Sequence, residues 1–404
     1  MTAARFTSPQ AASHESSLNP ERLHHITRAV QADIDAGRIP GAVMLISHHD
    51  RLVYETALGR QDPVAGTAMS IDTIFRIYSM TKPIVSVAVM MLVEEGRLLI
   101  SKPVSAYLPE LGQPGVGVQG ADSKGWPVLE TVDAHREMTV HDLLRHTSGL
   151  TYGIFGESLV KSAYTEAGVE RRDVTNDELV RRLAKVPLAY QPGTVWEYSR
   201  STDVLGALVE RISGMPLDDF LQQRILGPLG MKDSGFWVPA GQQHRIAEAF
   251  AKDPDSGVEV KLLDVRSKPA FLSGGGGMVS TAHDYLRFAR MLANHGTLDG
   301  VRILSRKTLQ YMTSDHLGDL PGARMTPDFL PGPGYGFGLG FAVRIADGDA
   351  IVPGSLGDYN WSGLAGTYFW VDPAENLVAI WLMQAPEQRA HYRQLYRNLV
   401  YAAL

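Results

Sequence analysis

One stretch of the sequence has no polar face and constrains the fold more than any other feature. Residues 83–96 read PIVSVAVMMLVEEG, and between residues 84 and 93 the only polar side chain is Ser86. A helix that is apolar around its whole circumference lies inside a core rather than on a surface. The stretch is far shorter than the ~20 residues needed to cross a bilayer. It therefore predicts a buried central helix that ends at Gly96.

Strand-like and helix-like patterns occupy different parts of the chain around this helix. Apolar runs with strand character occur near both ends of the chain, at residues 41–47, 51–57, 336–345, 363–371 and 377–383. Helical patterns separated by proline and glycine fill residues 100–270, and a last helix begins near residue 386. This order predicts a sheet built from both ends of the chain, with a helical segment inserted between them.

We therefore predict two structural units and a tail. The sheet unit comprises residues 20–78 and 275–404, the mostly helical unit comprises residues 79–274, and residues 1–19 form a flexible N-terminus. Asn19, followed by proline and glutamate, is typical of the start of a helix. Because residues 1–19 lack both the cationic start and the apolar segment of a secretory signal, a cytoplasmic location is the default expectation.

Charge and composition exclude several classes of function. The 38 Lys and Arg residues against 44 Asp and Glu residues give a net charge of −6, with no basic run. Neither nucleic acid nor an anionic membrane is therefore an expected partner. The chain has no cysteine, no His-Glu-x-x-His pattern and no lysine after its glycine run at residues 274–277. We expect a tight turn at these glycines, and no metal or cofactor.

The start of the central helix carries a Ser-x-x-Lys pattern. At this spacing Ser79 and Lys82 share one face of a helix, about one turn apart. A serine hydroxyl becomes a nucleophile when a neighbouring base takes its proton, and the N–H groups of a helix start favour a developing oxyanion. By itself the pattern is equally compatible with a capping serine and a solvated lysine. A second copy, Ser158 and Lys161, lies in a polar stretch and is interpreted as coincidence.

Other candidate residues have weaker patterns. No Gly-x-Ser-x-Gly occurs, so the nucleophile elbow of α/β-hydrolases is absent. His146 is interpreted as a hydrogen-bonded structural residue beneath a site rather than as a catalyst. Four aromatic residues fall in loops that could border a pocket: Tyr152, Phe155, Trp237 and Tyr335.

Several further motifs occur together with this serine and lysine. They are LLRHTSGL at residues 143–150, PGTVWEYS at 192–199, DVLG at 203–206, GPLGM at 227–231 and GGGGMVST at 274–281. In this order they resemble the serine β-lactamase-like family and, within it, the family VIII carboxylesterases. The resemblance covers residues 20–404 and implies an α/β fold of the α+β type. That fold is an antiparallel sheet flanked by helices, with an inserted all-helical domain.

The resemblance also implies roles for individual residues. Ser79 matches the nucleophile of the family, Lys82 its lysine, and Tyr198 the tyrosine of its Tyr-x-Asn motif. An ordinary phenol, with a pKa near 10, is no base at neutral pH, but a nearby ammonium would favour its phenolate. Tyr198 with Lys82 is therefore the expected base pair.

A third motif of the family, usually Lys-Thr-Gly on a strand edge, corresponds to Trp361, Ser362 and Gly363. The backbone N–H of Leu364 is expected to form an oxyanion hole with that of Ser79. Trp361 replaces a lysine that helps to bind a substrate carboxylate in β-lactamases and peptidases. Arg200 replaces an asparagine and could still meet an anion.

These departures favour one reaction over its relatives. We expect hydrolysis of short, uncharged carboxylic esters through an acyl-enzyme on Ser79, with a small-molecule ester as the substrate and the oligomeric state left open. A β-lactamase or a D-alanyl-D-alanine peptidase with the same chemistry is the first alternative. An acyltransferase remains open because nothing in the motifs sets the acceptor. A non-catalytic scaffold would require a broken triad, whereas Ser79, Lys82 and Tyr198 are all present.

Overall fold

The computed structural model describes residues 18–320 and 331–404. The predicted flexible N-terminus lies outside the described residues, except for Leu18 and Asn19. The α-helices are α1 (Pro20–Asp35), α2 (Thr81–Glu94), α3 (Val140–Leu144), α4 (Leu159–Glu166), α5 (Asn176–Leu183), α6 (Ser201–Ser213), α7 (Leu217–Leu221), α8 (Ala282–Ala293), α9 (Arg306–Met312) and α10 (Arg389–Tyr401). The strands are β1 (Gly41–His48), β2 (Arg51–Asp62), β3 (Thr67–Ala68), β4 (Phe75–Arg76), β5 (Val116–Ala121), β6 (Pro127–Val132), β7 (Val279–Ser280), β8 (Thr297–Leu298), β9 (Val301–Arg302), β10 (Tyr335–Phe337), β11 (Ala342–Arg344), β12 (Tyr359–Ser362), β13 (Tyr368–Asp372) and β14 (Leu377–Met383).

The main sheet is assembled from both ends of the chain, as the order of patterns predicts. Its eight strands run in the order β10-β11-β12-β13-β14-β1-β2-β3. Every neighbouring pair is antiparallel. The N-terminal and C-terminal contributions meet where β1 pairs with β14. Strand β12, which carries the third motif, therefore lies inside the sheet rather than at its end.

Strand β1 shows why the sheet is covered on both faces. All eight of its residues are buried, although successive side chains of a strand point to opposite faces. Ala42, Met44 and Ile46 belong to an apolar cluster with α1 and α10. Val43 and Leu45 belong to the larger cluster that contains α2 and α8. A continuous apolar run, rather than an alternating one, is the pattern expected of such a doubly covered strand.

The central helix α2 holds the start of the Ser-x-x-Lys pattern in a fixed place. Its residues 81–92 are all buried, as an all-round apolar surface requires. Helix α6 packs against it. A short 3₁₀ turn, Tyr78–Met80, leads into the helix, so Ser79 lies just before the first helical residue. The pattern therefore stands at the junction of a loop and a buried helix.

The inserted segment is not entirely helical, which corrects one expectation. Strands β5 and β6 form a hairpin within it. Its turn is closed by Asp122, whose carboxylate accepts from the N–H groups of Lys124 and Trp126, and by Gly125 at a φ of +82°. In the main sheet, the single strand expected at residues 336–345 is instead two short strands, β10 and β11, because Gly340 at φ +97° turns the chain between them. No helix within residues 18–320 and 331–404 has the length and apolarity to span a membrane.

Candidate active site

The nucleophile candidate is displayed by a turn with unusual backbone geometry. Tyr78, the residue before Ser79, has a φ of +43°, a left-handed conformation that is rare for a bulky residue. Its buried hydroxyl accepts a hydrogen bond of 2.8 Å from the N–H of Leu263. The turn is therefore fixed by a tertiary contact, and Ser79 lines the cavity described below.

Lys82 is buried and makes three polar contacts. Its Nζ lies 2.7 Å from the carbonyl oxygen of Gly275, 3.1 Å from the hydroxyl of Tyr152 and 3.2 Å from Oγ of Ser79. Burial lowers its pKa from 10.5 to about 7, against the opposing effect of the Asp203 carboxylate. A neutral amine has two N–H donors and one lone pair. With the donors directed at Gly275 and Tyr152, the lone pair is left for the Ser79 hydroxyl.

Tyr198 lies beside these groups but differs from the expected phenolate. Burial raises the pKa of its hydroxyl well above 10, and the neighbouring Ser79 hydroxyl opposes this only in part. Nζ of Lys82 stands 4.4 Å above the centre of the Tyr198 ring, facing the π-system rather than the hydroxyl. The phenol is therefore neutral at physiological pH. Lys82 is the group whose pKa suits a base.

Strand β12 and the turn after it form the opposite wall. The amide N–H of Gly363 donates to the carbonyl oxygen of Thr367 at 2.8 Å, and a Cβ on Gly363 would lie 2.4 Å from the carbonyl oxygen of Ile77. Only glycine lets this turn approach the nucleophile segment so closely. Within the described chain no acceptor takes the N–H of Ser79 or of Leu364. Both donors are thus free, and Leu364, Trp361 and Ser362 line the same cavity.

Arg200 lines the cavity, but its guanidinium is already engaged. It donates to Asp203 at 3.1 Å and to Glu170, and it lies 5.0 Å from the centre of the Tyr152 ring. These carboxylates raise its pKa above the ordinary value. The expectation that Arg200 could meet a substrate anion is therefore not supported, because two protein carboxylates hold it.

Asp203 is the main polar residue that sequence reasoning missed. It is fully buried and accepts from Oγ of Ser273 at 2.6 Å and from the N–H of Gly275 at 2.9 Å. It thereby fixes the glycine turn whose carbonyl oxygen holds Lys82. The DVLG motif was visible in the sequence, but nothing in it indicated which turn its aspartate would anchor.

The groups surround a cavity of about 400 Å³ between the sheet and the inserted segment. Tyr152 and Phe155 line it as expected, whereas Trp237 and Tyr335 line other cavities. Arg393 of α10 also lines it, and no sequence pattern pointed to this residue. The replacement of a lysine by Trp361 therefore does not leave the site without a cation, and the expected restriction to uncharged esters loses its basis.

The remaining candidates have structural roles. His146 is buried, its Nδ1 lies 3.2 Å from Oγ of Ser199, and its ring packs against Tyr198. Burial holds its pKa well below 6.5. In the second Ser-x-x-Lys copy, Oγ of Ser158 caps α4 by accepting from the backbone N–H of Lys161, and Nζ of Lys161 donates to the carbonyl oxygen of Phe155 and lies 3.5 Å from Oε1 of Glu197. Among the described residues, no group of three or more His, Asp or Glu side chains is placed to hold a metal ion.

Comparisons with known proteins agree with this architecture. The Beta-lactamase family model matches residues 26–403. Protein Rv1367c of Mycobacterium tuberculosis is 38% identical over 358 residues, covering 87% of each chain. Esterase EstB of Burkholderia gladioli is 34% identical over 394 residues, covering 91% of this chain and 93% of EstB. The solved structure of EstCE1, described as a hydrolase with promiscuous acyltransferase activity, has 28% identity and a TM-score of 0.79, covering 94% of this chain and 99% of EstCE1.

The fold and the family match define a serine hydrolase of the β-lactamase-like class. The chain belongs to the Beta-lactamase family. The predicted fold class and the resemblance to family VIII esterases are confirmed. The domain limits and the roles of the individual site residues stay predictions.

Proposed function

We propose that the protein is a carboxylesterase that acts through an acyl-enzyme on Ser79. The observation that carries this proposal is the position of the buried Nζ of Lys82, which lies 3.2 Å from Oγ of Ser79 and also contacts the carbonyl oxygen of Gly275 and the hydroxyl of Tyr152. A base with a pKa near the working pH is the most effective. Lys82, with its pKa of about 7, meets that condition.

In the first half-reaction, Oγ of Ser79 attacks the ester carbonyl carbon and its proton passes to Nζ of Lys82. The carbonyl oxygen becomes an oxyanion that the free N–H groups of Ser79 and Leu364 stabilise. When the C–O bond to the alcohol breaks, Lys82 returns the proton to the departing oxygen. The hydroxyl of Tyr198 donates a hydrogen bond to that oxygen, so in this proposal Tyr198 assists Lys82 and does not itself act as the base.

In the second half-reaction, water replaces the alcohol. Lys82 takes a proton from the water as its oxygen attacks the acyl carbon of the Ser79 ester. The tetrahedral intermediate then collapses, the bond to Oγ breaks, and the proton returns to Oγ. A carboxylic acid leaves and the free serine is restored.

Esters are the proposed substrates rather than amides because of the acid available at the site. An amide nitrogen must be protonated as it leaves, whereas an ester oxygen needs much less help. Lys82 returns only the proton that it took from Ser79, and the buried Tyr198, whose pKa is raised well above 10, adds a hydrogen bond rather than a second proton. The esterase relative EstB supports the same choice.

Acyl transfer is the second candidate, and EstCE1 is the specific observation in its favour. The acyl-enzyme formed on Ser79 is common to both reactions. Only the second nucleophile differs, since an alcohol in place of water would receive the acyl group.

The test compares kcat/KM for p-nitrophenyl butyrate, nitrocefin and benzylpenicillin under one set of conditions. We expect the ester to be preferred, with weak nitrocefin turnover because its ring is strained. The Ser79→Ala variant should be inactive, whereas Ser158→Ala, which changes the other Ser-x-x-Lys copy, should retain activity. A value for benzylpenicillin equal to or above that for the ester would favour a β-lactamase instead.

A further inference from the structure

Arg393 differs from Arg200, the buried arginine of the cavity, in having no carboxylate partner among the described residues. It is half-buried, its Nε is fully buried without a hydrogen-bond partner, and its Nη2 lies 3.5 Å from the carbonyl oxygen of Gly363. Arg200, on the other wall, is held by Glu170 and Asp203. A buried cation without a counter-ion is costly. The contrast indicates that a ligand supplies the missing anion.

The charges around Arg393 add to this imbalance. Arg389, one turn earlier on α10, and Arg172 line the same cavity, and Arg389 donates to a neutral acceptor, the carbonyl oxygen of Pro386. Glu170, the acidic residue of the lining, is bound to Arg200. Burial lowers the pKa of Arg393 to about 10, which still leaves it charged at physiological pH. The cavity wall at α10 is therefore positive.

Carboxylates behind Arg393 do not correct the imbalance. Asp358 is a buried acid that contacts α10, and it already pairs with both Arg344 and Arg397. Asp372 accepts from the hydroxyl of Tyr401 and from backbone N–H groups. Two guanidinium groups on one carboxylate leave a net positive charge, so no acid there is free for Arg393.

The position of Arg393 suits substrate binding. It borders the main cavity and a second groove of about 250 Å³, and the two share Trp361, Ser362 and Arg393. A group bound to its guanidinium would lie beside the motif that carries a lysine in β-lactamases. The cation that position 361 lacks is thus supplied from α10.

We propose that Arg393 is an anion-binding residue of this cavity, and that the preferred substrates are esters bearing a carboxylate, which its guanidinium holds beside residues 361–363. This rests on the esterase function proposed above and names its substrate class. A guanidinium and a carboxylate can form two parallel hydrogen bonds. An indole at position 361 packs against the apolar part of the same substrate.

The test uses matched ester pairs that differ only in a charge. For a carboxylate on the acyl side, p-nitrophenyl hemiglutarate is compared with its methyl ester. For a carboxylate on the alcohol side, the butyrate ester of 4-hydroxybenzoic acid is compared with that of methyl 4-hydroxybenzoate. The quantity measured is the ratio of kcat/KM for the anionic ester to that for the neutral one. A change confined to one pair identifies the side on which the carboxylate lies.

We expect the Arg393→Gln variant to lower this ratio for at least one pair by roughly tenfold to a hundredfold, as loss of a charge-assisted hydrogen bond does. Arg393→Lys should restore part of it. Arg172→Gln, which removes an exposed cation from the same cavity, is the control and should change the ratio much less. If Arg393→Gln and Arg172→Gln lower the ratio equally, the preference for anionic esters comes from the overall positive charge of the cavity and not from a contact with Arg393, and the proposal is wrong.

The esterase function and the anion-binding role of Arg393 are tested by different outcomes. If the unchanged protein hydrolyses neither member of either pair, the esterase function itself is wrong. If it hydrolyses the neutral esters in a Ser79-dependent way but Arg393→Gln leaves both ratios unchanged, the esterase stands and the anion site is wrong. Thermal unfolding of each variant shows whether a lost ratio comes from lost structure.

Discussion

Replacing Lys82 by methionine should abolish activity and stabilise the fold at the same time. The side chain is buried, and burial lowers its pKa from 10.5 to about 7. Between these two pH values the unfolded chain holds a proton at Lys82 that the folded chain does not. Unfolding therefore takes up a proton, and stability rises with pH across this window.

The size of the effect follows from the two pKa values. Each tenfold change in a protonation equilibrium is worth about 1.36 kcal/mol. The buried lysine therefore costs about 5 kcal/mol at pH 6 and about 2 kcal/mol at pH 9. Methionine has a similar volume and no charge. It leaves the carbonyl oxygen of Gly275 and the hydroxyl of Tyr152 without a hydrogen-bond partner, which destabilises the folded state by about 2 kcal/mol. The net gain should be about 3 kcal/mol at pH 6 and close to zero at pH 9.

Urea unfolding of the parent protein and of Lys82→Met at pH 6, 7.5 and 9 measures the difference in their free energies of unfolding. Groups that titrate in both proteins cancel in the difference between them, which isolates the contribution of Lys82. The exposed Lys185 offers a matched control, since Lys185→Met makes the same substitution at a lysine that is not buried. The same preparations report the loss of ester hydrolysis.

A Lys82→Met difference in stability that is independent of pH would contradict this prediction. A variant that is less stable than the parent at pH 6 as well as at pH 9 would contradict it equally. Either result would mean that Lys82 stays an ammonium in the folded protein, and the role of neutral base would be lost with it.

Four further outcomes follow from the site. The kcat/KM for a phenyl ester should rise through a pKa of about 7 as Lys82 loses its proton; a limb near 10 would instead indicate titration of Tyr198. Tyr198→Phe should lower kcat/KM by at least ~10²-fold, and near-parental kinetics in a folded variant would contradict its role. Tyr152→Phe removes an acceptor of the Lys82 ammonium, so the acidic limb of the pH–rate profile should move to lower pH; an unchanged profile would argue against the contact. Gly363→Ala should lower both Tm and kcat/KM, because its Cβ would stand 2.4 Å from a backbone oxygen, and calorimetry with ester kinetics shows whether it does.

The parts of this molecule that follow a simple periodicity were predictable from the sequence. Within residues 84–93 every side chain except Ser86 is apolar, and a helix that is apolar around its circumference has to be buried in the core. The strand runs at both ends could only pair with each other, because the helical patterns lie between them. The position of the Ser79 and Lys82 pattern followed from the helix start, although a 3₁₀ turn precedes the helix itself.

Contacts between distant segments were not predictable. The turn of the β5–β6 hairpin depends on side-chain hydrogen bonds of Asp122 within a stretch that resembles a polar loop. The protonation of Lys82 and Tyr198 depends on burial, which no local pattern measures. Arg393 sits among alternating polar and aromatic residues of α10, and its lack of a counter-ion appears only when β12 is folded against it.

The identity of the nucleophile is the central claim, and covalent labelling tests it most directly. A fluorophosphonate probe is added to the folded protein, and the labelled peptide is located by mass spectrometry. The account predicts one modified peptide, which carries Ser79, and no labelling of the Ser79→Ala variant. Labelling that persists in Ser79→Ala, or that maps to Ser158 or Ser148, would contradict it.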